Sequence, residues 1–347
     1  MAAAVQAVFG VLTIVIGFIM AHRILAPIVN QGWVFAAGMM MALDPAAASI
    51  SASLMTEPLF NLLITAFILF TVLYVQTERW WHTALAALSL ALAMLARPSA
   101  IYLWIVVPLI IIPLARRKWR FVLPVAVVGL LVYLAWSYRN WYYTGVFTYS
   151  LQANFSLLFL RAISAEHLAT GASVADLYIA YVRELYTRVG NLGALGTVTD
   201  LSFWDFHVAS TPELYAQMGS LAIEKLLKYW PIAVMSTPLG LWRMYALTTD
   251  LPGWFTPVEL VYHAVIYSTA LYGAIQGIRS RRWALVLTQG VPILYFTSLT
   301  LVAQISAMTS RMRTPITAPI IILATYGMHQ LWQKTKEVHI LQPRLKG

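Results

Sequence analysis

Long apolar runs separated by short polar clusters set the plan of this chain. Hydrophobic stretches at about 3–21, 57–76, 100–115, 120–138, 256–277, 283–305 and 314–333 are long enough as helices to cross roughly 30 Å of hydrocarbon. Two shorter runs, 32–43 and 82–96, bring the expected spans to nine. The first run has no basic leader and is followed by His22-Arg23 rather than a small-residue cleavage site, so it reads as a retained helix. Between Arg139 and Thr256 acids, glycines and aromatics return, which predicts an outer-face domain of short helices. Helical spacing runs from Asp176 to Arg188 and is broken by Gly190, while Thr211-Pro212-Glu213 offers an N-cap with proline at the first helical position. Leu221 to Tyr229 suits a helix lying on a membrane surface. Trp230 to Leu247, broken by Pro231, Pro238 and Gly240, reads as a re-entrant or interfacial element, with a tenth span as the alternative. The expected divisions are transmembrane helices over 1–138, the outer domain over 139–255, transmembrane helices over 256–333 and a tail over 334–347.

Composition sharpens the class. Hydrophobic residues fill 60% of the 347 positions and charged residues 10%, with mean hydropathy +0.73, which predicts an all-α, polytopic membrane protein. The net charge of +10 comes from short basic runs between apolar segments, as orientation signals do, and no extended basic face for nucleic acid is present. With the carboxyl end cytoplasmic, thirteen of the 23 Lys and Arg residues fall on the inner side. Most of the others lie in the one long outer segment, where the charge rule is weak. Nine spans then put the amino terminus outside, with only Met1 to Ala4 ahead of the first helix. That arrangement leads us to expect that a leading helix is absent. No cysteine is present, so thiol chemistry, disulfides and thiolate metal sites are excluded.

Three polar clusters then stand out on the outer side. Asp44-Pro45 ends one apolar run and Thr56-Glu57-Pro58 opens the next, with Thr56 able to cap that helix. Glu57 reads either as a complement to the helix dipole or, with Asp44, as part of a cavity that binds a cation, orients an acceptor hydroxyl or supplies a base. Arg97-Pro98 sits in a short outer turn, as a snorkelling side chain or as a phosphate ligand. Arg311 and Arg313 run against the charge bias just where Pro315 starts a helix, a combination that favours anion binding. Tyr138-Arg139-Asn140-Trp141-Tyr142-Tyr143 reads as an aromatic interface belt. His263 reads as a packed mid-helix residue, His82 and His329 as interface residues, and His207 is open to either reading. Asn154-Phe155-Ser156 matches a glycosylation sequon. No Walker loop, dinucleotide fingerprint, His-Glu-x-x-His or nucleophile elbow occurs.

In order, Leu43-Asp44-Pro45, Met55-Thr56-Glu57-Pro58-Leu59-Phe60, Leu95-Ala96-Arg97-Pro98-Ser99-Ala100, Arg139 to Phe147 and Arg311-Met312-Arg313-Thr314-Pro315 resemble the polyprenyl-phosphate-sugar-dependent glycosyltransferases of the protein-mannosyltransferase and aminoarabinose-transferase type. The resemblance covers 1–147 and 256–333. It implies a multi-pass enzyme of the cell membrane that moves a sugar from a polyprenyl-phosphate donor to a glycan, lipid or protein acceptor on the extracytoplasmic face. On that basis Arg97, Arg311 and Arg313 contact lipid phosphate, Asp44 and Glu57 line the sugar cavity as candidate catalytic groups, and Arg139 and Tyr143 are secondary. A divalent cation is compatible with this chemistry, although no metal-ligand motif is present. The family's catalytic acid stands in a first outer loop after a first helix that begins in the cytoplasm, and the chain departs from the pattern there. The departure leads us to expect a truncated or inactive relative, or a base role taken by Asp44 or Glu57. The rival expectations are a lipid-linked sugar transporter or flippase and a non-catalytic assembly subunit.

Overall fold

The computed structural model describes residues 2–52, 55–190, 211–246, 253–303 and 310–341, and every regular element among them is helical. In chain order the helices are α1 Ala2–Leu25, α2 Gln31–Ala42, α3 Pro45–Ala52, α4 Glu57–Thr77, α5 Trp80–Ala96, α6 Leu103–Val106, α7 Pro108–Leu114 and α8 Trp119–Thr144. Then follow α9 Gln152–Phe155, α10 Ile163–Thr170, α11 Val174–Val189, α12 Pro212–Lys228, α13 Trp230–Met235 and α14 Thr237–Ala246. The last are α15 Thr256–Arg279, α16 Trp283–Ala303, α17 Ser310–Arg313 and α18 Thr317–Leu341. Four of them, α1, α4, α8 and α15, are long and apolar enough to cross a membrane. The pair α2 and α3, bent by 49° at Leu43-Asp44, makes a fifth if it counts as one span. The apolar segments Trp80–Ala96, Pro98–Leu114 and Trp283–Leu299 are shorter.

The chain forms two compact units. The first comprises Met1–Leu130, Tyr245–Thr297 and Ser310–Gly347, and the second Leu131–Met244 and Ser298–Thr309. The two units part inside α8 and near the end of α14.

In the first unit α4 is the buried axis, with Phe60, Ile64, Phe67, Ile68 and Val72 all enclosed. Glu78 ends it in a left-handed conformation, φ 51°, and α5 returns alongside, so Arg97 arrives back at the end where Glu57 begins. Pro98 disfavours the helical region for the residue before it, and Arg97 is accordingly extended at φ −151°, ψ 136°. Proline in the first turn also marks the starts of α3, α4 and α15, and Pro315 occupies the short turn that leads into α18. Asp44, which could have been only a terminal residue, caps α3 by accepting from Ala47 N–H at 2.8 Å. Thr56 does not cap α4: it is itself in the helical region, φ −79°, ψ −13°, and makes no capping hydrogen bond.

The closest helix crossing joins α15 to α18. A Cβ added at Gly273 would lie 2.1 Å from Leu323 O, and one at Gly327 would lie 2.0 Å from Thr269 O, so backbone meets backbone and only glycine fits. Around it the chain is enclosed from Thr314 to Gly327, although α18 is less apolar than the four long helices.

The second unit has a core of Phe155, Leu158, Phe159, Tyr181, Val182, Leu185, Met218 and Leu221, among others. Ser173 caps α11 through Asp176 N–H, and Gly190 stops it at φ +75°, as its sequence predicts. Thr211 caps α12, which begins with Pro212 and extends the expected Leu221–Tyr229 segment toward its amino end. Trp230 to Ala246 forms the two short helices α13 and α14, with Trp230, Val234, Met235 and Trp242 exposed. Asn154 of the sequon bonds Tyr215 O at 2.9 Å and packs against Gly219. His207 lies outside the described residues.

Gly327→Ala and Gly273→Ala are each expected to force α15 and α18 apart and to destabilise by at least about 1–3 kcal/mol, as overpacking does. Gly290→Ala, where an added Cβ meets nothing within 4 Å, is expected to be neutral or to stabilise by up to about 1 kcal/mol. Thermal unfolding in detergent compares the three.

Candidate functional site

The turn before α4, the end of α5 and the short helix α17 bring one carboxylate and two guanidinium groups together. Glu57 Oε1 pairs with Arg97 Nη1 and stands 3.8 Å from Arg311 Nη1. The carboxylate side chain is 5% exposed and each arginine side chain 23%, so the acid is sealed while both bases reach the surface. Desolvating a carboxylate costs several kcal/mol. A contact near 4 Å at an effective dielectric of about 20 returns about 4 kcal/mol, the same order as that cost, so the pairing compensates Glu57 while adding little net stability. The triad keeps a surplus of one positive charge. Arg97 also rests over the Phe60 ring at 5.9 Å. One turn along α4, Thr314 donates to Asn61 Oδ1 at 3.2 Å, which ties the start of α18 to α4.

Beside this triad lies a cavity of about 320 Å³ lined by α1, α2, α3, α4 and the start of α18. Its wall is small and apolar at Ala7, Gly10, Ala42 and Ala47, and polar at Asn61, Thr65, Thr314 and Thr317. Pro58, next to Glu57, forms part of the wall, and the buried Thr317 hydroxyl has no hydrogen-bond partner among the described residues.

Arg313 belongs to a second, fully enclosed cluster. At 1% exposure its Nη1 meets His263 Nε2 at 2.6 Å and Tyr245 O at 3.3 Å, and donates to the Tyr267 hydroxyl. Stacking of His263 on Tyr267, 5.3 Å between ring centres at 12°, fixes both rings. With one ring nitrogen facing a guanidinium that can only donate, His263 accepts there as the neutral ring. Its Nδ1 lies 3.1 Å from Ala246 O and 3.9 Å from Glu259 Oε1. The charges of Asp44 and Glu259 both act on Arg313, and Asp44 is 5% exposed. Arg97 and Arg311 therefore converge on Glu57, whereas Arg313 turns into the enclosed cluster with His263 and Tyr267, and Asp44 caps α3.

The sequence reading left Glu259, Tyr267, Tyr245 and Asn61 unremarked, named Thr314 only within the Arg311–Pro315 string, and took His263 only as a packed residue. Glu259, His263 and Tyr267 recur every fourth position of α15, a polar stripe on an apolar helix, and that signal was available.

Arg139 and Tyr143 belong to the second unit. The Arg139 guanidinium lies over Trp136 at 4.7 Å and Tyr143 at 5.3 Å, and donates to Asn140 Oδ1 at 3.1 Å. Asn140 Nδ2 in turn donates to Thr148 O and Tyr149 O. Tyr149 stacks on Tyr133, and burial pushes its hydroxyl up to about 12. Tyr138, Trp141, Tyr142 and Tyr143 are exposed, as an aromatic belt is. Among the described residues no three His, Asp or Glu side chains are placed to hold a metal ion.

In thermal unfolding, Glu57→Gln and Arg97→Ala are expected to couple by about 1–3 kcal/mol in a double-mutant cycle, against less than about 0.5 for Glu57→Gln with Arg139→Ala. Arg313→Ala, which leaves buried partners behind, is expected to cost about 3–5 kcal/mol. Arg311→Ala should cost clearly less. No protein family, characterised protein or solved structure matches this chain.

Proposed function

We propose that this chain is a multi-pass membrane protein of the glycosyltransferase type, which takes a sugar from a polyprenyl-phosphate donor and delivers it to a glycan, lipid or protein acceptor on the extracytoplasmic face. The observation that carries the reading is the meeting of Arg97 and Arg311 on Glu57 beside the 320 Å³ cavity. A cationic pair with surplus charge suits a lipid phosphate, and it stabilises the negative charge that builds on the phosphate oxygen as the glycosidic bond breaks. In this scheme Arg97 and Arg311 hold the phosphate, and Arg313 supplies a fixed positive field from behind. Glu57, released from one arginine as phosphate arrives, accepts the proton of the acceptor hydroxyl, and Asp44 stays as the cap of α3 and counter-charge of Arg313. Any divalent cation would bind through the donor phosphate.

The scheme includes nine membrane crossings, with the α4 start outside and the carboxyl end in the cytoplasm. Helix direction supports it: the polar clusters gather where α4 begins, while Arg79, Arg116, Arg117, Arg279, Arg281 and Arg282 occupy the turns at the other end. The bend of 49° at Leu43-Asp44, with buried carboxylates beside it, favours a second reading, transport of the lipid-linked sugar across the bilayer.

In proteoliposomes, Arg97→Ala with Arg311→Ala is expected to weaken retention of polyprenyl phosphate by roughly 10- to 100-fold, as losing a charge-assisted hydrogen bond does. Glu57→Gln is expected to stop transfer from a radiolabelled polyprenyl-phosphate sugar to added acceptors while retention persists. Unchanged retention in the double variant sinks the phosphate assignment. Donor that crosses the bilayer unconsumed selects the transport reading.

A further inference from the structure

At the opposite end of the first unit a second cavity, of about 630 Å³, opens between α1, α4 and the turn joining α15 to α16. Glu57 starts α4 and Gln76 lies near its end, so at 1.5 Å per residue the two sites are about 30 Å apart along one helix, the thickness of a hydrocarbon core. Three arginines line this cavity, Arg23, Arg281 and Arg282, and no acidic residue does. None of the three pairs with a carboxylate among the described residues. The nearest acid in sequence to the end of α4, Glu78, is committed elsewhere, accepting from Arg116 N–H at 2.6 Å and Arg117 N–H at 3.1 Å.

The backbone of the turn adds an independent sign. Arg282 N–H bonds Gly277 O at 2.8 Å and Arg281 N–H bonds Ile278 O at 3.0 Å, the paired bonds of a helix end whose next residue turns left-handed. That residue is ordinarily glycine, yet here Arg281 holds φ 54°. A side chain in this conformation costs about 1–2 kcal/mol, and strain of this kind is retained where the side chain has a use. Beside the arginines the wall is apolar at Ile24, Ile28, Val72, Val75 and Leu285 and polar at Gln76, Ser280 and Thr288, and Trp283 is half exposed. A charged mouth beside an oily wall has the polarity of a phospholipid.

We propose that this cavity holds the headgroup phosphate of an anionic membrane phospholipid between Arg23, Arg281 and Arg282, with its acyl chains along the α1 and α4 wall. The proposal is independent of the transferase reading and requires only that the helices lie in a bilayer.

The test uses the full chain in nanodiscs containing both phosphatidylglycerol and phosphatidylcholine, with the lipids retained after detergent extraction counted by native mass spectrometry. Wild type is expected to retain phosphatidylglycerol in preference to phosphatidylcholine. Arg281→Gly with Arg282→Ala should retain it roughly 25-fold less, since each surface basic group contributes roughly a fivefold factor. Arg281→Gly alone relaxes the turn, so it should keep or raise the melting temperature while still losing retention, and it gives the answer if the double variant does not fold. Equal retention of the two lipids by wild type, or equal retention of phosphatidylglycerol by wild type and Arg281→Gly, overturns the proposal. Displacement of the lipid by millimolar inorganic phosphate would show a free-anion site instead and also overturns it.

Discussion

A carboxylate withdrawn from water at the end of an apolar helix has to be compensated, and in this chain Glu57 is compensated twice. Neither arginine comes from a neighbouring turn: Arg97 is delivered by the return of α5, and Arg311 by the segment that precedes α18. The ion triad therefore closes the first unit at that end, with Thr314 and Asn61, 253 residues apart, bonded one turn below. Buried ion pairs are weak sources of net stability, because the desolvation of both partners offsets most of their attraction. Their effect is specificity, since any other arrangement of these helices leaves Glu57 unpaired. The same surplus of positive charge that satisfies Glu57 is what makes the spot attractive to an anion.

The enclosed cluster around Arg313 works differently. Its guanidinium meets a histidine ring, a tyrosine hydroxyl and a backbone carbonyl, with Asp44 and Glu259 supplying the counter-charge. Asp44 also caps α3, and α2 packs directly against α18, with the Trp33 ring edge-on to His329. Two polar assemblies with opposite access, one reaching the surface and one sealed, thus share one end of the first unit. Arg97 and Arg311 are partly exposed, while Arg313 is buried beside them.

Apolar packing decides what the ion pairs leave open. The glycines at 273 and 327 let α15 and α18 approach until backbone touches backbone, and α1 is seated against side chains, with Gly10 against Ser51 and Gly17 against Met41 and Ala318. In a bilayer, where lipid tails are as oily as leucine, such close contact rather than a hydrophobic drive holds helices together. The long exposed rows on α1, Val8, Val11, Val15 and Ile19 among them, are what a lipid-facing surface requires.

The one-dimensional pattern was enough for element type and for many ends. Apolar runs of the right length give helices, Pro98 makes Arg97 extended, Ser173 and Thr211 cap, and Gly190 stops, because each of these depends on a residue and its immediate neighbours. The grouping of Asp44, Glu57, Arg97 and Arg311 near helix ends was legible for the same reason. Which charge meets which was not. Glu57 selecting Arg97 and Arg311, Arg313 turning inward to His263 and Tyr267, and Asp44 joining Arg313 all depend on helix rotation and depth, which many contacts between distant segments fix together. The polar stripe of Glu259, His263 and Tyr267 was written in the sequence, but its meaning depended on a partner fifty residues away in the chain. Burial and pairing are properties of the packed helices, so only the tertiary structure could separate the two arginines that reach the surface from the one that is sealed inside.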